Sequence, residues 1–210
     1  MKDILINYWH PVEVANKLTN TPTPINLLGE RLVIYIHDGE PVVFKDLCLH
    51  RGAKLSGGIV DDNGAIQCPY HGWKFDSLGN CILIPSMNAK QKIPRSWCLE
   101  RFKAKIAYDL FWINLGEYPE PFPTWPSDAW NDKNFEVFLV NSYTWSSSAG
   151  RIAENAIDFS HFNFVHKGYT ELADGPLIKD HDVNTVGDQI HYEYYDSKLL
   201  RKYRIDFPFT

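Results

Sequence analysis

The sequence predicts an α+β chain in which a small antiparallel β domain precedes a second domain that mixes helix and strand. Short apolar runs between residues 4 and 46 are separated by Pro, Gly and Asn/Asp turns. Four prolines fall between residues 119 and 126, and residues 149–166 carry apolar side chains at helical spacing. We therefore expect a β domain at 1–116, a proline-rich linker at 117–126 and a second domain at 127–210.

The β domain is predicted from its strands and turns. Apolar runs occupy residues 4–12, 25–29, 31–37 and 41–46, and the His-Asp-Gly-Glu sequence at 37–40 is typical of a hairpin turn. Residues 77–80 indicate a second hairpin. The run from Ile106 to Leu115 is predicted to be one apolar strand that closes the domain.

Composition excludes several classes of partner. The chain has 210 residues, 44% of them hydrophobic and 22% charged, with a net charge of −5, which is ordinary for a globular protein. The sequence has no long Lys/Arg run, so it gives no reason to expect nucleic acid or an anionic membrane as a partner. The N-terminus lacks the pattern of a signal peptide, and no apolar stretch approaches about 18 residues, so we expect a cytoplasmic protein.

Two cysteine and histidine pairs provide the strongest chemical signal. Cys48 and His50 form a C-x-H pair, seventeen residues follow, and Cys68 and His71 form a C-x-x-H pair. Two thiolates and two imidazoles suit a [2Fe-2S] cluster in which the cysteines hold one iron and the histidines the other. Structural zinc is the rival interpretation, but zinc fingers usually pair Cys with Cys and His with His, whereas both arms are mixed here. The other two cysteines, Cys81 and Cys98, are expected to be reduced thiols.

These loops resemble a Rieske iron–sulfur domain. The sequence CPYHGW at 68–73 is similar to the second loop of Rieske oxygenases and their ferredoxins. Respiratory Rieske proteins carry an extra cysteine in each loop, and the matching positions here are Ala53 and Tyr70, so the disulfide of that class cannot form. The histidine ligands implied by the resemblance raise the reduction potential of the cluster above that of an all-cysteine cluster.

A second stretch rich in polar groups follows a predicted strand at 135–148. Glu154, Asn155, Asp158, His161 and His166 fall within thirteen residues. On a continuous helix the first, third and fourth of these would form one stripe, with the asparagine beside it. The two histidines, five residues apart, would point about 140° apart, so both can reach one ion only if the helix ends or bulges between them.

This second string resembles the N-x-x-D-x-x-H-x4-H motif of Rieske non-haem iron oxygenases, in the monooxygenase and O-demethylase branch. The resemblance implies a catalytic domain of α+β, helix-grip-like fold, with His161 and His166 as ligands of a mononuclear Fe(II). It also implies that Asp158 bridges His161 and the partner subunit's His71, and that Asn155 lies beside the iron or the substrate pocket.

The same resemblance implies the cofactors and partners of the protein. Electrons from NAD(P)H would arrive through a reductase or ferredoxin, O2 would be the co-substrate, a small cyclic or aromatic molecule would be hydroxylated or O-demethylated, and the assembly would be a homotrimer. The third iron ligand, a carboxylate, is expected beyond residue 210, so we expect the N-terminal part of a longer α subunit.

Two other classes of protein remain open at this point. One is an electron carrier, in which a Rieske ferredoxin is fused to a domain that binds but does not oxidise. The other is an interaction module stapled by zinc. The sequence does not identify the substrate.

Overall fold

The computed structural model describes residues 5–88, 90–124, 130, 132–134, 136, 144–169, 175, 177–178, 180 and 182–186, and the backbone of 189–196 and 201–208. The chain forms two compact units, Met1–Pro123 and Thr124–Thr210. The division lies inside the proline-rich segment. No helix among the described residues is long and apolar enough to cross a membrane.

The first unit is built around an antiparallel sheet in the order β2-β3-β4, with β2 at Thr23–Leu27, β3 at Glu30–His37 and β4 at Glu40–Lys45. Side chains alternate between the two faces of a strand. Val33 and Tyr35 of β3 join one hydrophobic core, whereas Leu32 and Ile34 join another. Both faces of the sheet are therefore covered, which explains why the run RLVIYIH is apolar without alternation.

Two further sheets supply the other walls of these cores. The sheet in the order β1-β10-β9 consists of β1 at His10–Val14, β9 at Lys103–Ala107 and β10 at Leu110–Asn114. The sheet in the order β5-β6-β7-β8 consists of β5 at Ile59–Val60, β6 at Ile66–Gln67, β7 at Lys74–Phe75 and β8 at Cys81–Leu83. The second of these sheets carries both cysteine and histidine loops. Short 3-10 turns occupy Ala15–Lys17 and Leu55–Gly57.

Both predicted hairpins are confirmed, and two predicted strands need correction. Strand β1 begins at His10, because residues 5–8 form a turn in which Tyr8 N–H donates to Leu5 O. The predicted strand Ile106–Leu115 is wrong, because Tyr108 and Asp109 have φ of 54° and 57° and turn the chain between β9 and β10. A two-residue turn with both φ positive usually contains glycine or asparagine. Because this turn begins with a tyrosine, the sequence does not indicate it.

Two glycines with similar backbones provide a matched test of packing. Gly39 has φ +79° with nothing within 4 Å of an added Cβ, whereas a Cβ on Gly64, at φ +75°, would overlap the His37 ring. We expect Gly39→Ala to cost about 1 kcal/mol of unfolding free energy through backbone strain alone. Gly64→Ala should cost about 1–3 kcal/mol more because the ring must move. Urea unfolding of both variants measures the difference, and equal losses would contradict the contact.

The first part of the proline-rich segment is bound to the β domain. The Phe122 ring lies 5.2 Å from that of Trp9 and 5.3 Å from that of Trp112, both edge-on, and Lys105 Nζ lies 4.2 Å from its centroid. Glu120 N–H donates to Asn7 O at 2.7 Å. Residues 117–123 therefore form part of the packed surface of the first unit.

The second unit contains helix α1 at Ala149–Ile157, a short helix α2 at Phe162–Val165, and a sheet in the order β11-β12-β13. Its strands are β11 at Val183–Val186, β12 at Gln189–Asp196 and β13 at Arg201–Pro208, all antiparallel. The strand predicted at 135–148 falls mostly outside the described residues.

Candidate functional site

The first cysteine loop is a tight turn closed by main-chain hydrogen bonds. Cys48 N–H donates to Ala53 O at 2.8 Å, and Gly52 N–H donates to Cys48 O at 2.9 Å. Gly52 has φ +69°, a backbone conformation that favours glycine. Below the loop, the buried Asp46 carboxylate accepts from Ser56 N–H at 2.8 Å and from its hydroxyl at 2.7 Å. The sequence did not predict these hydrogen bonds between Asp46 and Ser56, because the spacing of the two residues is no different from that of an exposed pair.

The second loop, between β6 and β7, repeats this pattern. Cys68 N–H donates to Trp73 O at 2.8 Å, and Gly72 N–H donates to Cys68 O at 3.1 Å, with φ +71° at the glycine. Pro85 packs on the same glycine, since an added Cβ would lie 3.1 Å from its Cγ. The two loops therefore place cysteine and glycine in matching backbone positions.

The four side chains of these loops form an inner pair and an outer pair. Cys48 and Cys68 are 2% exposed and their thiols adjoin, and neither forms a disulfide. His50 and His71 are exposed, with ring centroids 4.6 Å apart. Burial raises the pKa of the Cys48 thiol to about 11. Metal binding there must therefore displace a proton, because the thiolate is the ligand.

The arrangement of donors fits a two-iron cluster better than a single ion. Partial desolvation and the neighbouring His71 lower the pKa of His50, which favours the neutral imidazole that binds metals. No group of three or more His, Cys, Asp or Glu side chains converges on one point in the described part of the chain. A [2Fe-2S] cluster of this type takes two protein ligands on each iron, so two separate pairs are what it requires.

Aromatic rings extend from the histidine pair to the surface. The His50 ring stacks on Trp73 at 4.8 Å and 5°, and Trp73 stacks on Trp97 at 5.3 Å and 14°. On the other side, Tyr70 lies 3.8 Å from the His71 ring. Trp73 is part of the CPYHGW sequence, whereas nothing in the sequence signals Trp97 as its partner.

The turn that leads into the second loop carries a titratable ion pair. The Asp61 carboxylate accepts from Lys74 Nζ at 2.8 Å and from the N–H groups of Asn63 and Ala65. The hydrogen bond from Lys74 is the main cause that lowers the Asp61 pKa. A depressed carboxylate pKa stabilises the fold above the unfolded value of about 3.9, and this stabilisation is lost as the pH falls through the folded pKa.

Asp61→Asn is therefore expected to reduce stability at pH 7 and to make the loss of stability below about pH 5 shallower. Urea unfolding of wild type and variant between pH 7 and pH 3 tests this expectation. Parallel stability curves for the two proteins would show that the carboxylate contributes nothing through its ionisation.

The second unit carries the other candidate site at the end of α1. Ser148 caps the helix, with its hydroxyl accepting from Arg151 N–H at 3.3 Å. The helix ends at Ile157, and Asp158 has extended backbone angles of φ −82° and ψ 111°. The helical run predicted over residues 149–166 is therefore wrong at Asp158. The end that a shared site requires is that of α2, which stops at Val165, between His161 and His166.

Asp158 orients the first histidine. One of its oxygens accepts from the N–H and the hydroxyl of Ser160, and the other lies 3.2 Å from His161 Nδ1. The hydrogen bonds from Ser160 are the largest cause that lowers the Asp158 pKa, so the carboxylate is charged at neutral pH. When Nδ1 donates to this carboxylate, Nε2 is left as the nitrogen that can bind a metal.

The two histidine rings meet at the ends of the short helix α2. The centroids of His161 and His166 are 5.1 Å apart, and Phe162 contacts them at 5.0 and 5.8 Å. Phe159, which is 6% exposed, packs edge-on against Phe162 at 5.4 Å and anchors the turn. Two imidazoles on one face suit a mononuclear iron that keeps open positions.

The other two polar residues of the stretch lie apart from this pair. Glu154 forms an exposed ion pair with Arg151 at 2.7 Å, which supports the helix. Asn155 is exposed on α1 and makes no hydrogen bond to either histidine among the described residues. Its predicted role stays a prediction, as do the ligand roles of the other site residues.

Comparison with known proteins identifies the family. Residues 8–103 match the Rieske [2Fe-2S] domain. The chain is 37% identical over 173 residues to methylxanthine N1-demethylase NdmA of Pseudomonas putida, covering 80% of this chain and 49% of that protein. It belongs to the Rieske oxygenase family. Methylxanthine N3-demethylase NdmB of the same species is 36% identical over 204 residues, covering 91% of this chain and 56% of that protein.

The fold agrees with this assignment to the Rieske oxygenases. The solved structure of P. putida CBB5 NdmA with caffeine superimposes with a TM-score of 0.88 at 29% identity, covering 100% of this chain and 64% of that one. The chain spans about half the length of the curated relatives that it matches. The predicted fold class, a β Rieske domain followed by an α+β catalytic domain, is confirmed.

Proposed function

We propose that this Rieske protein belongs to the oxygenase component of a non-haem iron monooxygenase system. In this proposal Cys48, Cys68, His50 and His71 hold the [2Fe-2S] cluster, and His161 and His166 hold a mononuclear Fe(II). When bound, the cluster would supply electrons one at a time and the mononuclear iron would activate O2. The observation that carries the proposal is the pair of histidine rings, 5.1 Å apart at the two ends of α2, beside the Asp158 carboxylate.

The residues of each site have distinct tasks in this proposal. Buried Cys48 and Cys68 keep the inner side of the cluster away from water, whereas exposed His50 and His71 leave its outer side open to electron transfer. Asp158 holds His161 in one orientation. A carboxylate with two oxygens can also accept from a second imidazole, which supports the proposed bridge to the partner subunit's His71 in a homotrimer.

The proposed reaction inserts one oxygen atom into a C–H bond of a small cyclic substrate. O2, two electrons and two protons give one hydroxyl group and one water, and NAD(P)H supplies the electrons through a reductase or ferredoxin. On a methyl group bound to oxygen or nitrogen, the hydroxymethyl product breaks down and releases formaldehyde, which leaves the substrate demethylated. The two relatives, named as methylxanthine demethylases, support methyl removal and make purine-like rings the first substrates to screen.

The deciding experiment is a count of iron and acid-labile sulfide per chain, made on anaerobically reconstituted protein of natural length. We expect three irons and two sulfides, because the two sites hold a two-iron cluster and one further iron. Two irons with two sulfides would instead support an electron carrier. The carrier remains the second candidate because the described residues supply only two histidines and no third convergent ligand at the second site.

A further inference from the structure

We infer that the surface around Trp97 is where an acidic electron-carrier protein docks to reduce the cluster. This inference rests on the proposed function and deepens it. The observation behind it is the stacked column His50–Trp73–Trp97, whose outer ring is 39% exposed while the middle ring is 8% exposed. The column thus joins a proposed cluster ligand, through the buried Trp73 ring, to a second exposed point on the surface.

The outer ring lies on a basic loop at residues 84–98, which follows strand β8. Every charged residue in this loop is positive, namely Lys90, Lys92 and Arg95, although the whole chain has a net charge of −5. All three side chains are exposed, and none lies within ion-pair distance of a carboxylate in the part of the chain that is described. Three unneutralised cations on an acidic protein favour an acidic partner.

The loop is held in place rather than free. Met87 and Ile93 pack against the core around the cysteines, and Ile84 is 7% exposed. Trp97 O accepts from Cys81 N–H at 2.9 Å, which joins the loop to β8. A surface that is already ordered needs little ordering on binding, which favours rapid and reversible docking.

Exposed apolar side chains precede the basic loop in the chain. Ile82 and Leu83 of strand β8, directly before the loop, are 50% and 44% exposed. An apolar centre with a charged rim is typical of a protein interface, whereas small anions need only the charge. The partner is therefore inferred to be a one-electron carrier, such as a ferredoxin or a reductase with a ferredoxin-like domain, that presents an acidic rim.

The transfer itself is simple. One electron would leave the reduced carrier, which is thereby oxidised, and would reach the cluster that His50 would help to hold. No bond forms or breaks in the column, and the two tryptophans shorten the distance that the electron crosses through solvent.

Stopped-flow reduction of the reconstituted full-length protein tests the docking surface. The probe is a reduced plant-type [2Fe-2S] ferredoxin, an acidic carrier, and photoreduced deazariboflavin serves as an uncharged reductant that needs no docking. Lys92→Glu/Arg95→Glu should slow reduction by ferredoxin about tenfold at low salt and flatten its salt dependence. The matched control Lys17→Glu/Arg31→Glu changes the charge equally, at exposed positions on other elements, and should leave the rate unchanged.

The column is tested at saturating ferredoxin. Trp97→Leu should lower the limiting rate severalfold, whereas Trp97→Phe, which keeps a ring, should retain most of it. Equal rates with deazariboflavin and an unchanged visible spectrum show that the cluster and its surroundings are intact in each variant. An unchanged limiting rate in Trp97→Leu would overturn the column as the electron path.

Failure of this inference can be told apart from failure of the proposed function. Cluster reduction requires neither the mononuclear iron nor a substrate. Equal rates for the two double variants, in protein that holds its cluster, overturn the docking surface and leave the oxygenase proposal standing. Wild-type protein that assembles no cluster overturns both.

Discussion

Cys48→Ser is expected to abolish cluster assembly, with acid-labile sulfide and visible absorption reduced about tenfold or more. The thiolate is the ligand that the inner iron requires, and a serine hydroxyl ionises far less readily. The residue is 2% exposed in a tight loop that holds its thiol beside that of Cys68. Sulfide analysis and the visible spectrum after anaerobic reconstitution measure the loss.

Cys81→Ser is the matched control, because this cysteine is also buried and belongs to the same hydrophobic core. Its Sγ makes only a weak contact with Leu83 O at 3.9 Å. The variant should lose some stability, since a buried hydroxyl replaces a thiol, but should keep its full sulfide content. A cluster retained in Cys48→Ser, or lost equally in both variants, would contradict the ligand assignment.

His166→Ala is expected to remove product formation and about one iron per chain while leaving the visible spectrum of the cluster intact. The side chain is exposed at the end of α2, and the main-chain hydrogen bond from its N–H to Phe162 O does not depend on it. The loss should therefore come from the missing imidazole and not from unfolding. Formaldehyde release from a methylated substrate and iron analysis provide the two measurements.

Lys167→Ala serves as the control for His166→Ala, since it shortens the next exposed side chain without removing a proposed ligand. It should retain both the iron and the product. Loss of the cluster in His166→Ala would refute the assignment of two separate iron sites.

The architecture of the first unit was largely predictable, because burial on both faces leaves an unbroken apolar run. The strands at 31–37 and 41–46 and their hairpin follow from that run and from the Asp-Gly turn. The turn at Tyr108 and Asp109 was not predictable, because tyrosine rarely adopts a positive φ and no glycine follows the aspartate. Tertiary packing of the flanking strands overrides the local preference there.

The candidate site shows the same division between local signals and distant contacts. The spacing of Cys48, His50, Cys68 and His71 was sufficient to predict that the two loops come together. Asp46 and Trp97 were not predicted to belong to the site, because their roles depend on contacts with Ser56 and Trp73, about ten and twenty-four positions away. No periodicity in a single sequence records such a contact.

Helix α1 illustrates a motif that overrides a periodic pattern. Its apolar spacing continues beyond Ile157, yet the helix ends there. Asp158 makes its hydrogen bonds to Ser160 instead of continuing the helix, a choice open to short polar side chains. The spacing of the histidines required a helix end between His161 and His166, whereas this earlier end at Asp158 depends on the local competition for hydrogen bonds.

The closeness of His161 and His166 has a consequence for how the protein folds. Their rings meet across five residues, whereas Cys48 and Cys68 meet across twenty. Because the entropy of closing a loop grows with the logarithm of its length, this difference is worth about 1 kcal/mol in favour of the histidines. A contact of such low sequence separation forms on the timescale of a single helical turn, before distant strands pair. The histidine pair is therefore among the first parts of the second unit to form.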